Sequence, residues 1–465
     1  MPNHQADDPA MPAGFGLATA TFVVVASMVG VGILTTSGYT VAATGSNALM
    51  LGLWAVGGVV ALCGALTIAE LAAALPKTGG DYVFLREAFG APVAFLSGWV
   101  SFFIGFAGPI AASASASASY LTAPFGLTEP TGWWVRHALA TASILAFTLI
   151  HVGGRRGTAR VQVAITLIKV GGLTLLAIAG IFAGRGNLAN LNDLPTIRPS
   201  TVQSMLFSLV YIAYGYTGWN AAGYLAGEIG DPKRRLPLSI LIGTVGVTAL
   251  YMALNLFYAL ALPASEIRRV VDSQGFGAVA PIAELAATRL FDPRVAGPLS
   301  VAVGLMLWST LSAYVLTGPR VLHAMAVDGL FPSFAARLTR GSRTPALATF
   351  LQSGWALLLL WSAPFDEILI YASVGLSLFS MLTVGSVYAL RIRRPDLERP
   401  FRVPGYPLTP AIFLLVTGAL IVAAFNDPNG KGLHSAWFAI GSVAAGLPAY
   451  YGWKAWSGPQ TSPPS

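Results

Sequence analysis

A chain of 465 residues that is 55% hydrophobic and only 10% charged, with a mean hydropathy of +0.68, is excluded from the ordinary soluble class, where charged residues make up about 25%. Its net charge of +8 does not point to nucleic acid, because the Lys and Arg residues fall in short loops between apolar stretches, where they report membrane orientation. Cys63 is the only cysteine and lies inside an apolar stretch, which rules out an intrachain disulfide.

The leading segment MPNHQADDPA lacks the basic region and cleavage site of a signal peptide, so residues 1–14 read as a cytoplasmic tail and the first span as an uncleaved insertion signal. Twelve stretches then reach the roughly 20 residues that cross a bilayer. Six lie at 15–44, 47–75, 92–120, 133–152, 159–183 and 201–227. Six more lie at 237–262, 297–326, 345–362, 367–390, 408–425 and 434–453. The expected fold class is all-α, a polytopic membrane protein with twelve transmembrane helices. Loops and tails on the side of the N-terminus carry eighteen Lys and Arg, against eight on the other side, four of them in the longer segment 263–296. Both termini are therefore expected in the cytoplasm and the protein in the cell membrane, with 454–465 as the second cytoplasmic tail.

Two of the stretches are interrupted by glycine at matching places: Ser27-Met28-Val29-Gly30-Val31-Gly32 in the first and Tyr214-Gly215-Tyr216-Thr217-Gly218 in the sixth. An element repeated after five spans enters the membrane from the opposite side, the geometry of an inverted repeat. Helices 1–5 (15–183) and 6–10 (201–390) are thus expected as two inverted units forming a transport core over 15–390. Residues 391–453, a cytoplasmic loop and helices 11 and 12, are peripheral. A broken helix inside a bilayer exposes backbone groups that lipid cannot satisfy, which a bound solute can. Small residues also allow close helix packing, and Gly57-Gly58, Gly171-Gly172 and the Ala/Ser alternation of 113–119 read that way.

Amides at a half-helix N-terminus suit a carboxylate, and carbonyls at a half-helix C-terminus suit an amine, so a small zwitterion matches both. The amides of Gly30, Val31 and Gly32 are the carboxylate candidates; carbonyls near Met28, Tyr214 and Thr217, with Gly215 and Gly218 beside them, are the amine candidates. Lys169 lies about ten residues into the fifth span, near the bilayer centre, where a charge costs at least about 2.5 to 3.5 kcal/mol and must face a partner or cavity. Carbonyls beside Gly30 and the hydroxyls of Ser309, Thr310 or Ser312 are the expected partners. No Asp or Glu lies near the centres of the first, third, sixth, eighth and tenth spans, which favours neutral over cationic substrates. Glu70 and Glu228 sit at the cytoplasmic ends of the second and sixth spans, with structural and exit-capping roles both open. His151 and His323 lack ligand-spaced partners, so no metal is inferred, and nothing calls for a cofactor. A polytopic enzyme would need a catalytic constellation and a channel a continuous polar pore; the spans carry neither pattern.

Several segments together carry a resemblance. MVGVGILTTSG, IAELAAALPKTGGDYVFL, ARVQVAITLIKV, YGYTGWNAAGYLAGEIGDPKRRLP, PRVLHAMAVDGLFP and RRPDLERPFRVPGYP occur in this order between about residues 15 and 410. In them the chain resembles the amino acid-polyamine-organocation superfamily, near the bacterial and L-type amino acid transporter branches. The resemblance implies a carrier working by alternating access, with an amino acid held between the first, third, sixth, eighth and tenth spans. It places Tyr214 as the aromatic that closes over substrate, and Trp219 and Asn220 in the Gly-Trp-Asn pattern. It matches Lys169 to the lysine that replaces a sodium ion in sodium-independent members. The residues leave the coupling open: Lys169 with a fixed charge suits exchange against a counter-substrate, and a titrating Lys169 suits proton coupling. Val31 and Leu34 depart from the family pattern, which leaves the substrate open between neutral amino acids and the alternative of a cationic amino acid or polyamine.

Overall fold

The computed structural model describes residues 16–77, 79–153, 156–182, 185–274, 282–291, 293–339, 344–426 and 431–457. With no water in the hydrocarbon to receive backbone N–H and C=O groups, an apolar run must satisfy them within itself, and the elements of the described chain are helices. In chain order they are α1 Leu17–Met28, α2 Val31–Thr44, α3 Asn47–Ala74, α4 Asp81–Phe89, α5 Ala91–Val100, α6 Ala107–Thr122, α7 Thr131–Gly153 and α8 Arg156–Phe182. After these come α9 Pro199–Gly215, α10 Pro232–Ala261, α11 Ala264–Gln274, α12 Ile282–Leu290, α13 Pro293–Val327, α14 Ala346–Ser362, α15 Phe365–Arg393, α16 Leu408–Phe425 and α17 Lys431–Ser457.

Among the described residues, eight helices or helix runs are each long and apolar enough to cross a membrane, and α1 with α2 forms a ninth span bent by 40°. The other three expected spans correspond to α9 and α14, of 17 residues each, and to α17. α9 is short because it stops at Gly215. The third span is continuous over 91–125 but passes through a π-helical stretch at Ser101–Phe106, which the apolar pattern of the sequence does not announce. Between spans lie three helices where the sequence reads as loop: α4, α11 and α12.

The halves interleave. α2 packs on α9, α3 along α10, α6 along α13 and α7 along α14, so four elements each meet the counterpart five spans later. α16 and α17 pack on the outside of α15.

Candidate functional site

α1 stops at Met28 because Val29 (ψ 100°) and Gly30 (φ −145°, ψ −150°) are extended, and the helix restarts at Val31. A helix end leaves its last carbonyls without intrahelical donors. Here each one is met. Val25 O receives the Val29 N–H at 2.9 Å. Lys169 Nζ donates to Ala26 O at 3.1 Å and to Val29 O at 2.5 Å. The Tyr314 hydroxyl donates to Ser27 O at 3.2 Å and the Tyr251 hydroxyl to Met28 O at 2.6 Å. Lys169 Nζ also donates to Thr310 Oγ1 at 3.1 Å. Its partners are thus a hydroxyl and the negative end of the α1 dipole, worth about half an elementary charge, which lets an ammonium sit 1% exposed without a carboxylate. Of the other two hydroxyls considered, Ser312 Oγ lies 2.9 Å from His151 Nε2, and Ser309 is buried one residue before Thr310.

The second break is tied to the first. α9 ends at Gly215, the chain turns through Gly218 at φ +101°, and a 3₁₀ segment continues over Ala221–Glu228. Tyr214 O accepts from the Thr217 N–H at 3.1 Å and from Thr217 Oγ1 at 2.7 Å. Gly215 O accepts from the Tyr251 hydroxyl at 2.9 Å. Tyr251 has a single hydroxyl proton, so it serves Met28 O or Gly215 O one at a time and pins the ends of both half-helices. The glycines are where the two backbones touch. A Cβ on Gly32 would fall 2.4 Å from Gly215 Cα, and one on Gly218 would fall 2.7 Å from the Ser27 carbonyl. Nothing in the local sequence pointed to Tyr251 in α10: one tyrosine in an apolar run carries no pattern.

A cavity of about 160 Å³ opens between α1, which precedes the first break, and the segment that follows the second. Val23 and Ser27 of α1 line it, but no residue of α2; Thr217 to Ala221 and Tyr224 line it, but no residue of α9. The remaining wall comes from α4, the third span, α13 and α15. Thr217 and Gly218 of the candidate set therefore face the cavity, as do Trp219 and Asn220. Met28, Gly30, Val31, Gly32, Tyr214 and Gly215 are buried in the packing beside it and are not among its lining. Sequence reasoning missed one charge in this cavity. Asp81, from α4 and outside every span, lines it together with Arg320 of α13. Burial raises the Asp81 carboxyl to about 6, against the lowering effect of Asn220 and Tyr224, which hydrogen-bond its charged form.

Broken spans packed glycine to glycine, a buried lysine on the first break and a cavity beside the second are the geometry of a solute carrier. The sequence profile described as Amino acid permease matches residues 15–446. The chain belongs to this family. The permease is 28% identical over 456 residues to the serine/threonine exchanger SteT of Bacillus subtilis, covering 96% of this chain and 98% of that one. It is 26% identical over 440 residues to the human cystine/glutamate transporter, covering 93% and 84%. It is 27% identical over 446 residues to the mouse Asc-type amino acid transporter 1, covering 94% and 80%. The permease is thus a multi-pass membrane transporter of amino acids and not an enzyme.

Glu70 has a structural place in the permease. It is 1% exposed and accepts from Arg391 Nε at 2.9 Å, Arg391 Nη2 at 2.6 Å and the Val403 N–H at 2.7 Å, with Arg399 Nε at 3.5 Å. The Arg391 guanidinium also lies 3.7 Å above the Tyr406 ring. Glu70 thereby fastens the segment between α15 and α16 to the end of α3. The Glu228 side chain lies outside the described residues.

Proposed function

We propose that this permease exchanges neutral amino acids across the cell membrane by alternating access, without sodium, and with both termini in the cytoplasm. The observation that carries the reading is Lys169 Nζ on Ala26 O, Val29 O and Thr310 Oγ1: its ammonium holds the carbonyls of the broken first span, the role a sodium ion would otherwise fill. An ammonium supplied by the chain itself removes the need for a sodium ion at that place. The name of SteT, a serine/threonine exchanger that this chain matches along nearly its whole length, supports exchange over net uptake.

In this reading the amides at the start of α2, Gly30 to Gly32, take the substrate carboxylate. The Thr217–Gly218 turn and the Met28 and Tyr214 carbonyls form the amine side, and Tyr214 is the closing aromatic. Met28 O meets substrate only when the Tyr251 hydroxyl shifts to Gly215 O, so carrier motion and the shared proton of Tyr251 are linked. Purified protein in liposomes preloaded with L-serine should take up labelled L-serine far faster than empty liposomes. Equal uptake into empty liposomes excludes exchange, and no uptake of any neutral amino acid excludes the substrate class.

A further inference from the structure

The motif Gly79-Gly80-Asp81-Tyr82 follows the second span, and the transport reading above gives it no role. Its two glycines have left-handed φ, +131° at Gly79 and +54° at Gly80, and a Cβ on Gly80 would fall 3.0 Å from the Tyr224 ring. A turn only glycine accommodates thus presses the start of α4 against the segment after the second break. There Asp81 Oδ2 accepts from Asn220 Nδ2 at 2.7 Å and lies 3.4 Å from the Tyr224 hydroxyl. Asp81 Oδ1 is buried with no hydrogen-bond partner among the described residues, although the side chain lines the cavity and is only 9% exposed. One residue on, the Tyr82 hydroxyl donates to Asp328 Oδ2 at 2.5 Å, and Arg86 Nη1 reaches the same oxygen at 2.5 Å. These contacts fix α4 to the end of α13 and with it the backbone that carries Asp81.

A carboxylate oxygen stripped of water and given no donor is unfavourable until a cationic donor arrives. We propose that Asp81 Oδ1 receives the ammonium group of the transported amino acid in the cavity between α1 and the segment that follows the second break, which makes Asp81 a substrate-binding residue. The inference rests on the carrier reading but concerns a residue that reading does not use. It also explains how a cavity with no acid on its spans can hold an amine: the acid is brought in by a loop helix.

The test is thermal-shift titration of the purified full-length protein with L-serine, L-leucine and L-lysine, and with 3-hydroxypropionate, which is L-serine without its amine. Wild type should be stabilised by at least one of the amino acids. Asp81→Asn should raise the half-saturating concentration roughly ten- to hundredfold, the range expected for losing a hydrogen bond to a charged group. Asp81→Glu, which keeps the charge, should recover most of the affinity, and 3-hydroxypropionate should not distinguish wild type from Asp81→Asn. Unchanged half-saturation in Asp81→Asn overturns the assignment and leaves the carrier reading standing. Equal loss in Asp81→Glu and Asp81→Asn overturns it too, because a structural role would not follow the charge. No stabilisation of wild type by any of the amino acids overturns the carrier reading itself. If Asp81→Asn gives no cooperative melt, Asp81→Glu against wild type decides: near-wild-type affinity supports the assignment and a hundredfold loss overturns it.

Discussion

Replacing Tyr251 by Phe removes one oxygen from the centre of the molecule and leaves the ring in place. The ring is 0% exposed, with the Trp54 ring edge-on at 5.3 Å and the Tyr216 ring at 5.1 Å, so packing is preserved. What is lost is the hydroxyl that lies 2.6 Å from Met28 O and 2.9 Å from Gly215 O. One proton makes one hydrogen bond, so the loss is a single bond plus the penalty for a buried carbonyl left without a donor, together about 1 to 3 kcal/mol. The bond holds whichever half-helix end it serves against α10, so it favours the conformation seen here over any that draws that end away. A change of about 1.4 kcal/mol is tenfold in such an equilibrium. Tyr251→Phe should therefore melt earlier in detergent than wild type and shift the half-saturating concentration of exchange by roughly tenfold. The readouts are a melting curve and L-serine counterflow measured on the same preparation. A variant with the wild-type melt and wild-type kinetics would refute the claim that Tyr251 ties the two breaks together.

Gly32→Ala puts a methyl 2.4 Å from Gly215 Cα, backbone against backbone, so the α2 and α9 axes must separate. Overpacking of this kind costs about 1 to 3 kcal/mol, and exchange should fall at least tenfold, whereas Gly52→Ala, with open space at its Cβ, should leave melting and transport at wild-type values. Glu70→Gln leaves Arg391 and Arg399, 22% and 11% exposed, without their carboxylate, a loss of about 3 to 5 kcal/mol that should speed tryptic cleavage after Arg402; an unchanged digestion rate would refute the latch. The raised Asp81 pKa gives a pH signature. Its carboxyl goes from an ordinary 3.8 to about 6 in the fold, so the unfolded chain releases this proton first and stability falls as pH rises between the two values. Two units correspond to about 3 kcal/mol, so unliganded Asp81→Asn should melt higher than wild type above pH 6 and together with it below pH 4. A melting difference that does not change with pH would refute the pKa assignment.

Much of this arrangement is legible in the residues. The glycines at 30, 32, 215 and 218 mark both breaks, because each glycine weakens a helix by about 1 kcal/mol relative to alanine and each apolar run carries two of them within four residues. Lys169 is legible as a partner of the first break, since a charge at that depth must find dipoles. What the sequence hides is contact between distant elements. The glycines read as openings for solute, whereas Gly32 and Gly215 are also the point where two backbones meet, and the α1 carbonyls are met by side chains from α8, α10 and α13. Tyr251 has no local signature. Asp81 lies outside every span, so a search for acids within spans passes over it, and only the Gly79-Gly80 turn brings it to the cavity. The Glu70 cluster joins residues more than 320 positions apart, beyond any helical spacing.

The role of Lys169 is tested most directly by L-serine counterflow in liposomes with all sodium replaced by choline, for wild type and for Lys169→Met. The account predicts wild-type exchange at the same rate in both salts, and loss of exchange in Lys169→Met whose residual activity sodium raises. Wild-type exchange that collapses in choline, together with an unimpaired Lys169→Met, would contradict it.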